Sequence, residues 1–106
     1  MIGKGKITAF AGSWGSGLAA MCIEDERRGR VTVYCDNAQT VRALDSAFGG
    51  VIGAGHKVNM EAFKGQIIYY GVDDHLGCLD GFTSESEASA ELVQLYEDQG
   101  RHEAGV

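Results

Sequence analysis

The chain predicts a β-rich α+β fold, with elements in the order β-β-β-α-β-β followed by a C-terminal helix. Three observations predict it. Sixteen of its 106 residues are glycine, about twice the usual share of roughly 7%, which suits many tight turns. Short β-branched or aromatic runs with two-residue alternation recur between those turns. Only two stretches combine helical spacing with a helix start signal.

Residues 4–10 alternate Lys4, Lys6 and Thr8 against Ile7 and Ala9, the pattern of a half-buried strand. Residues 12–17, Gly-Ser-Trp-Gly-Ser-Gly, form a loop. The apolar run 18–24 fits either a strand or a helix, and periodicity does not separate the two. The polar stretch Asp25–Arg30, with Gly29, reads as a hairpin turn. Residues 31–36 are a strand with Val31, Val33 and Cys35 on one face and Thr32 and Tyr34 on the other. Asp36 and Gln39 have capping-box spacing ahead of Val41, Leu44 and Phe48, and Gly49-Gly50 ends that helix. Gln66–Val72 is a strong strand, in which one of Tyr69 and Tyr70 must face away from the core. The turn Asp73–His75 leads to a weaker strand, Leu76–Phe82. Ser84 and Glu87 form a second capping box before a stripe of Ala88, Leu92 and Leu95.

A chain of this length fits one domain spanning 1–99, with a body at 4–82, a terminal helix at 84–99 and a frayed end at 100–106. The body order resembles an OB-type small barrel, a partly open Greek key with a helix between strands three and four.

Net charge is −6. Residues 1–82 carry eight basic and nine acidic side chains, a net of −1, whereas residues 83–106 carry six acids and Arg101, a net of −5. The acidity belongs to the C-terminal segment. Cys22, Cys35 and Cys78 are odd in number and lack CxxC spacing, so the expectation is inert thiols in a reducing cytoplasm. No run approaches the ~18 apolar residues of a membrane span, so no membrane partner is expected.

Residues 11–20, AGSWGSGLAA, are similar to the glycine turn of dinucleotide-binding dehydrogenases of the glycerol-3-phosphate dehydrogenase type. Gly15-x-Gly17-x-x-Ala20 fits the fingerprint, a strand precedes it, and Asp36 ends the next strand. The resemblance implies a helix over 17–28 that holds pyrophosphate, with Asp36 on a ribose hydroxyl. The chain departs from the pattern at Phe10, which stands where the first glycine makes the bend, and it is too short for a doubly wound sheet.

Asp73-Asp74-His75 with Cys78 holds the residue types of an acid–base pair or half a zinc site. This gives the alternative of a small enzyme. The second half of such a site is missing, so neither metal nor cofactor is expected. No P-loop or nucleophile elbow occurs. The positive signal is aromatic and basic. Trp14 in the first loop, Tyr34 on the outward face of its strand and Arg27, Arg28 and Arg30 at the hairpin form a candidate ligand-binding set. Such a set takes a small ligand or single-stranded nucleic acid, because rings stack on aromatics and cations meet phosphates. The expectation is thus a non-enzymatic binding module. A structural role, with a homodimer through a sheet edge, is the further alternative.

Overall fold

The computed structural model describes residues 1–11, 19–35, 37–53, 58–73 and 77–104. Five strands, β1 (Ile2–Ala11), β2 (Ala19–Asp25), β3 (Gly29–Cys35), β4 (Ile67–Val72) and β5 (Leu79–Ser84), accompany two helices, α1 (Asn37–Phe48) and α2 (Ala90–Ala104). The strands form one antiparallel sheet in the order β3-β2-β1-β4-β5. The ladder does not close on itself. One isolated parallel bridge, Tyr34 to Cys78, joins β3 to the residue before β5, and the Tyr34 N–H donates to Gly77 O at 3.1 Å.

Alternation sets the inner face. Ile7, Met21, Ile23, Val33 and Ile68 point inward and are fully buried against Val41 and Leu44 of α1, with Val51 and Phe63 completing the cluster. Each such side chain contributes about 1.5–3 kcal/mol on burial. The register shifts once in β1, where Ile7 pairs with Ile23 but Ala9 pairs with Cys22. Thr8 is the extra residue of a bulge that sends Phe10 inward, edge-on to Phe63 at 5.9 Å.

The ambiguous apolar run is strand β2, with Ala19, Met21, Ile23 and Asp25 buried. The helix implied by the dinucleotide resemblance is therefore not formed at 19–25. The turn from β2 to β3 is held by Asp25, whose Oδ1 accepts the N–H groups of Arg27 (2.8 Å) and Arg28 (3.0 Å), while Gly29 supplies the left-handed residue at φ 74°.

Two expectations at the C-terminus are corrected. Ser84 ends β5 and is followed by a single 3-10 turn, Glu85–Glu87. The cap of α2 is Ser89, whose hydroxyl accepts the Leu92 N–H at 3.1 Å. The helix runs to Ala104. Its inward residue is Tyr96, which is buried, whereas Leu95 is 56% exposed. Tyr69 and Tyr70 are both buried. Tyr70 lies on the inner face, and Tyr69 faces outward under α2, edge-on to Tyr96 at 5.6 Å. Among the described residues no helix is long and apolar enough to cross a membrane.

Candidate functional site

The outer face of the sheet divides in two. Its lower half is covered by α2, which Gln99 ties down by accepting the Ile2 N–H at 2.9 Å. There Lys4 lies 5.2 Å from the Tyr69 ring centre and bridges Glu26 and Glu85 at 3.6 and 3.1 Å.

Among the described residues no element covers the upper half. Cross-strand pairing aligns three rows: Tyr34–Ala20–Ala11, then Thr32–Cys22–Ala9, then Arg30–Glu24–Lys6–Ile67. Solvent faces of antiparallel sheets usually carry long polar side chains. Here the first two rows hold only alanine, cysteine and threonine beside one aromatic. Tyr34 is 48% exposed and ends the first row at the β3 edge of the sheet. Its ring flanks Gly77 of the β4–β5 turn, where an added Cβ would lie 4.0 Å from Tyr34 Cδ2. The floor is cross-braced: Thr8 Oγ1 donates to Cys22 O at 3.3 Å, and Cys22 Sγ lies 3.8 Å from Thr32 Oγ1.

Of the five residues predicted to bind, Tyr34 and Arg30 lie together on this face. Arg28 turns inward, with Nη1 3.4 Å from the buried Asp25 carboxylate. Arg27 serves α2. Its guanidinium sits 3.6 Å from the Tyr96 ring centre and donates to Tyr96 O at 2.8 Å, and it lies flat against Gly100. Trp14 lies outside the described residues, as do Asp36, Asp74 and His75. Asp73 closes the β4–β5 turn through its backbone: its N–H donates to Cys78 O and its carbonyl accepts from the Gly77 N–H, both at 2.8 Å. Among the described residues no three His, Cys, Asp or Glu side chains gather as metal ligands. Burial pushes the Cys35 thiol above its ordinary 9.0, outweighing a hydrogen bond with Thr40, which suits an unreactive core cysteine.

Sequence reasoning missed Ala9, Ala11, Ala20, Cys22 and Lys6 as members of the site. The signal was present in Ala9 and Ala11 of β1 and in Ala20 and Cys22 of β2, whose side chains are all short, but assembling the floor required the strand pairing.

The role of Arg27 has a direct test. Arg27→Ala is expected to cost about 1–2 kcal/mol by urea unfolding, from the lost stack and charged hydrogen bond. Amide exchange over residues 96–100 should quicken as well. Unchanged exchange there would show that α2 docks without this contact.

No protein-family model, curated protein or solved structure matches the chain.

Proposed function

We propose that the chain is a small binding module rather than a catalyst, built as an OB-like barrel that receives a ring-bearing small ligand on its outer β2–β3 face. The observation that carries this reading is the exposed Tyr34 ring at the end of two rows of alanine, cysteine and threonine. Short side chains let a flat ligand approach the sheet closely, and an aromatic wall gives it a stacking partner, worth about 1–3 kcal/mol for a base-sized ring.

The barrel assignment draws support from the strand order and from the parallel Tyr34–Cys78 bridge, which points the two edge strands toward each other. Trp14 supplies a second ring on this reading. It lies three residues from Ala11, and the connection carrying it leaves and rejoins the sheet at the platform's first row. A small ligand is favoured over a nucleic-acid strand because Arg27 and Arg28 are committed to Tyr96 and Asp25, leaving too few cations for a row of phosphates. Cysteines outside any disulfide at Cys22, Cys35 and Cys78 support a reducing, cytoplasmic setting.

The test is an amide-shift titration with soluble aromatic and sugar compounds. Saturable shifts should cluster at Ala20, Cys22, Thr32 and Tyr34. Tyr34→Ala should weaken binding at least tenfold, about 1.4 kcal/mol, with the unfolding midpoint unchanged. Shifts that appear elsewhere, or that survive Tyr34→Ala, would refute the platform.

A further inference from the structure

A second surface lies between α2 and β5, the strand at the opposite edge of the sheet from Tyr34. Cross-strand pairing sets Gly71 against Gly81, two residues on from the outward Tyr69, so the outer face there has no side chains. An added Cβ at Gly81 would meet nothing within 4 Å. Ile2 and Leu92 wall this glycine floor and make a groove of about 240 Å³. At about 100° per residue, Leu95, Glu91 and Asp98 follow Leu92 around one flank of the helix, and Leu95 is 56% exposed. On the sheet side the rim is Asp80, the bulge residue of β5, whose Cβ lies 3.8 Å from where a Cβ on Gly71 would stand.

The geometry points to a docking groove for a basic protein segment, which lays one large apolar side chain over Gly71 and Gly81 and sets lysine or arginine against Asp80 and Glu91. Size favours a segment over a free ligand. The volume lies below the ~300–1,000 Å³ of small-molecule pockets and suits a single side chain, and glycines at a sheet edge leave a gap that an aromatic ring fills. Charge sets the sign of the partner. Residues 80–98 hold six acids, Asp80, Glu85, Glu87, Glu91, Glu97 and Asp98, and no lysine or arginine. Lys4 holds Glu85 and Arg101 holds Asp98. Asp80 and Glu91 are exposed and enter no ion pair among the described residues. A second copy of the chain, with its net charge of −6, brings like charge to this rim. A basic segment brings the opposite charge: the rim steers and selects it, and the buried apolar anchor supplies most of the affinity.

The experiment follows amide shifts of the protein at low salt with three peptides. They are acetyl-Lys-Lys-Phe-Lys-Lys-amide, its counterpart with alanine for phenylalanine, and its counterpart with glutamate for every lysine. The phenylalanine peptide should give saturable shifts at Gly71, Gly81, Leu92 and Leu95. The alanine peptide should bind about tenfold more weakly, as expected for a phenyl ring partly removed from water, and the glutamate peptide more weakly still. Gly81→Val fills the floor where there is room for it, and should erase the preference for phenylalanine without lowering the unfolding midpoint. Leu95→Ala, at an exposed position, should lower affinity for the phenylalanine peptide at an unchanged midpoint. Glu91→Gln should weaken both lysine peptides about two- to fivefold and lessen their salt dependence. Equal affinity for the phenylalanine and alanine peptides would overturn the anchor, and equal affinity for the lysine and glutamate peptides would overturn the charge assignment. Shifts confined to residues 20, 22, 32 and 34, or no shifts at all, would overturn the groove. Shifts at residues 71, 81, 92 and 95 that grow with protein concentration alone, with a matching rise in sedimentation mass, would overturn it in favour of a second copy.

Discussion

Asp25→Ala is expected to lower stability by about 3–5 kcal/mol, because it strands polar groups inside the fold. The Asp25 side chain ends β2 on the inner face and is only 4% exposed. It accepts the Tyr70 hydroxyl at 2.5 Å, the N–H groups of Arg27 and Arg28, and the Arg28 guanidinium. Removing it leaves a buried phenol without its acceptor and undoes the turn. Tyr70→Phe leaves Asp25 its three other donors and is expected to cost about 1.5–3 kcal/mol, the worth of one hydrogen bond to a charged group. Urea unfolding measures both, and a loss within about 1 kcal/mol for Asp25→Ala would mean that water replaces the carboxylate.

The same cluster sets the acid limit. Burial alone raises the Asp25 pKa. Hydrogen bonds from Tyr70, Arg27 and Arg28, together with the Arg28 charge, outweigh it and hold the carboxyl below its ordinary 3.8. The unfolded chain therefore takes the proton first. The stability from Asp25 is whole above about pH 5 and drains as pH falls through 3.8 toward the lower folded value. Asp25→Asn should flatten this acid limb, and a slope unchanged by that substitution would assign it to other carboxylates. On the alkaline side, burial and the adjacent carboxylate hold the Tyr70 hydroxyl far above its ordinary 10.0. That contribution is whole below pH 10 and falls as pH rises beyond it.

Gly5→Ala is the second large effect, with an expected loss of about 3 kcal/mol, the upper part of the range for overpacking. A Cβ there would lie 2.7 Å from Ile23 Cγ2 and 2.8 Å from Asp25 Cα, and closer still to the Glu24 carbonyl oxygen. Backbone neighbours cannot rotate aside, so β1 and β2 must separate. At Gly3 the added carbon would lie 2.6 Å from both Asp25 Oδ2 and the Tyr70 hydroxyl oxygen, striking the hydrogen bond itself. Gly3→Ala and Tyr70→Phe should therefore combine with less than additive cost. Gly81→Ala is the control. An added Cβ there meets nothing within 4 Å, and its effect should stay within about 0.5 kcal/mol. A comparable loss at Gly81 and Gly5 would show that the close approach at Gly5 does not set the cost, since reduced chain freedom alone makes Gly→Ala stabilising.

Much of the secondary structure was legible. β1, β3 and β4 announced themselves by alternation or β-branched content, and α1 by the spacing of Val41, Leu44 and Phe48. β2 did not, for a reason tied to the site. Its inward residues Ala19, Met21 and Ile23 are apolar, but Ala20 and Cys22 on the outward side are small and nonpolar too. The short outward side chains that lower the floor erase the period-two signal. The stripe of α2 was misread at Leu95 because leucine outranks tyrosine on apolar character, whereas Tyr96 is drawn in by the Tyr69 ring edge and the Arg27 guanidinium. The three arginines looked equivalent as one polar turn. They differ because Asp25 and Tyr96 claim two of them, and the Asp25 partner Tyr70 lies 45 residues away in sequence.

Local spacing along the chain was enough to assign most strands, the first helix and the outward phase of Tyr34, since each depends on neighbours two to four residues apart. Strand order, the floor beside Tyr34, the burial of Asp25 and the docking of α2 came from the assembled fold alone. Each is a match between surfaces distant in sequence, and no short-range period records which distant strand or ring a side chain will meet.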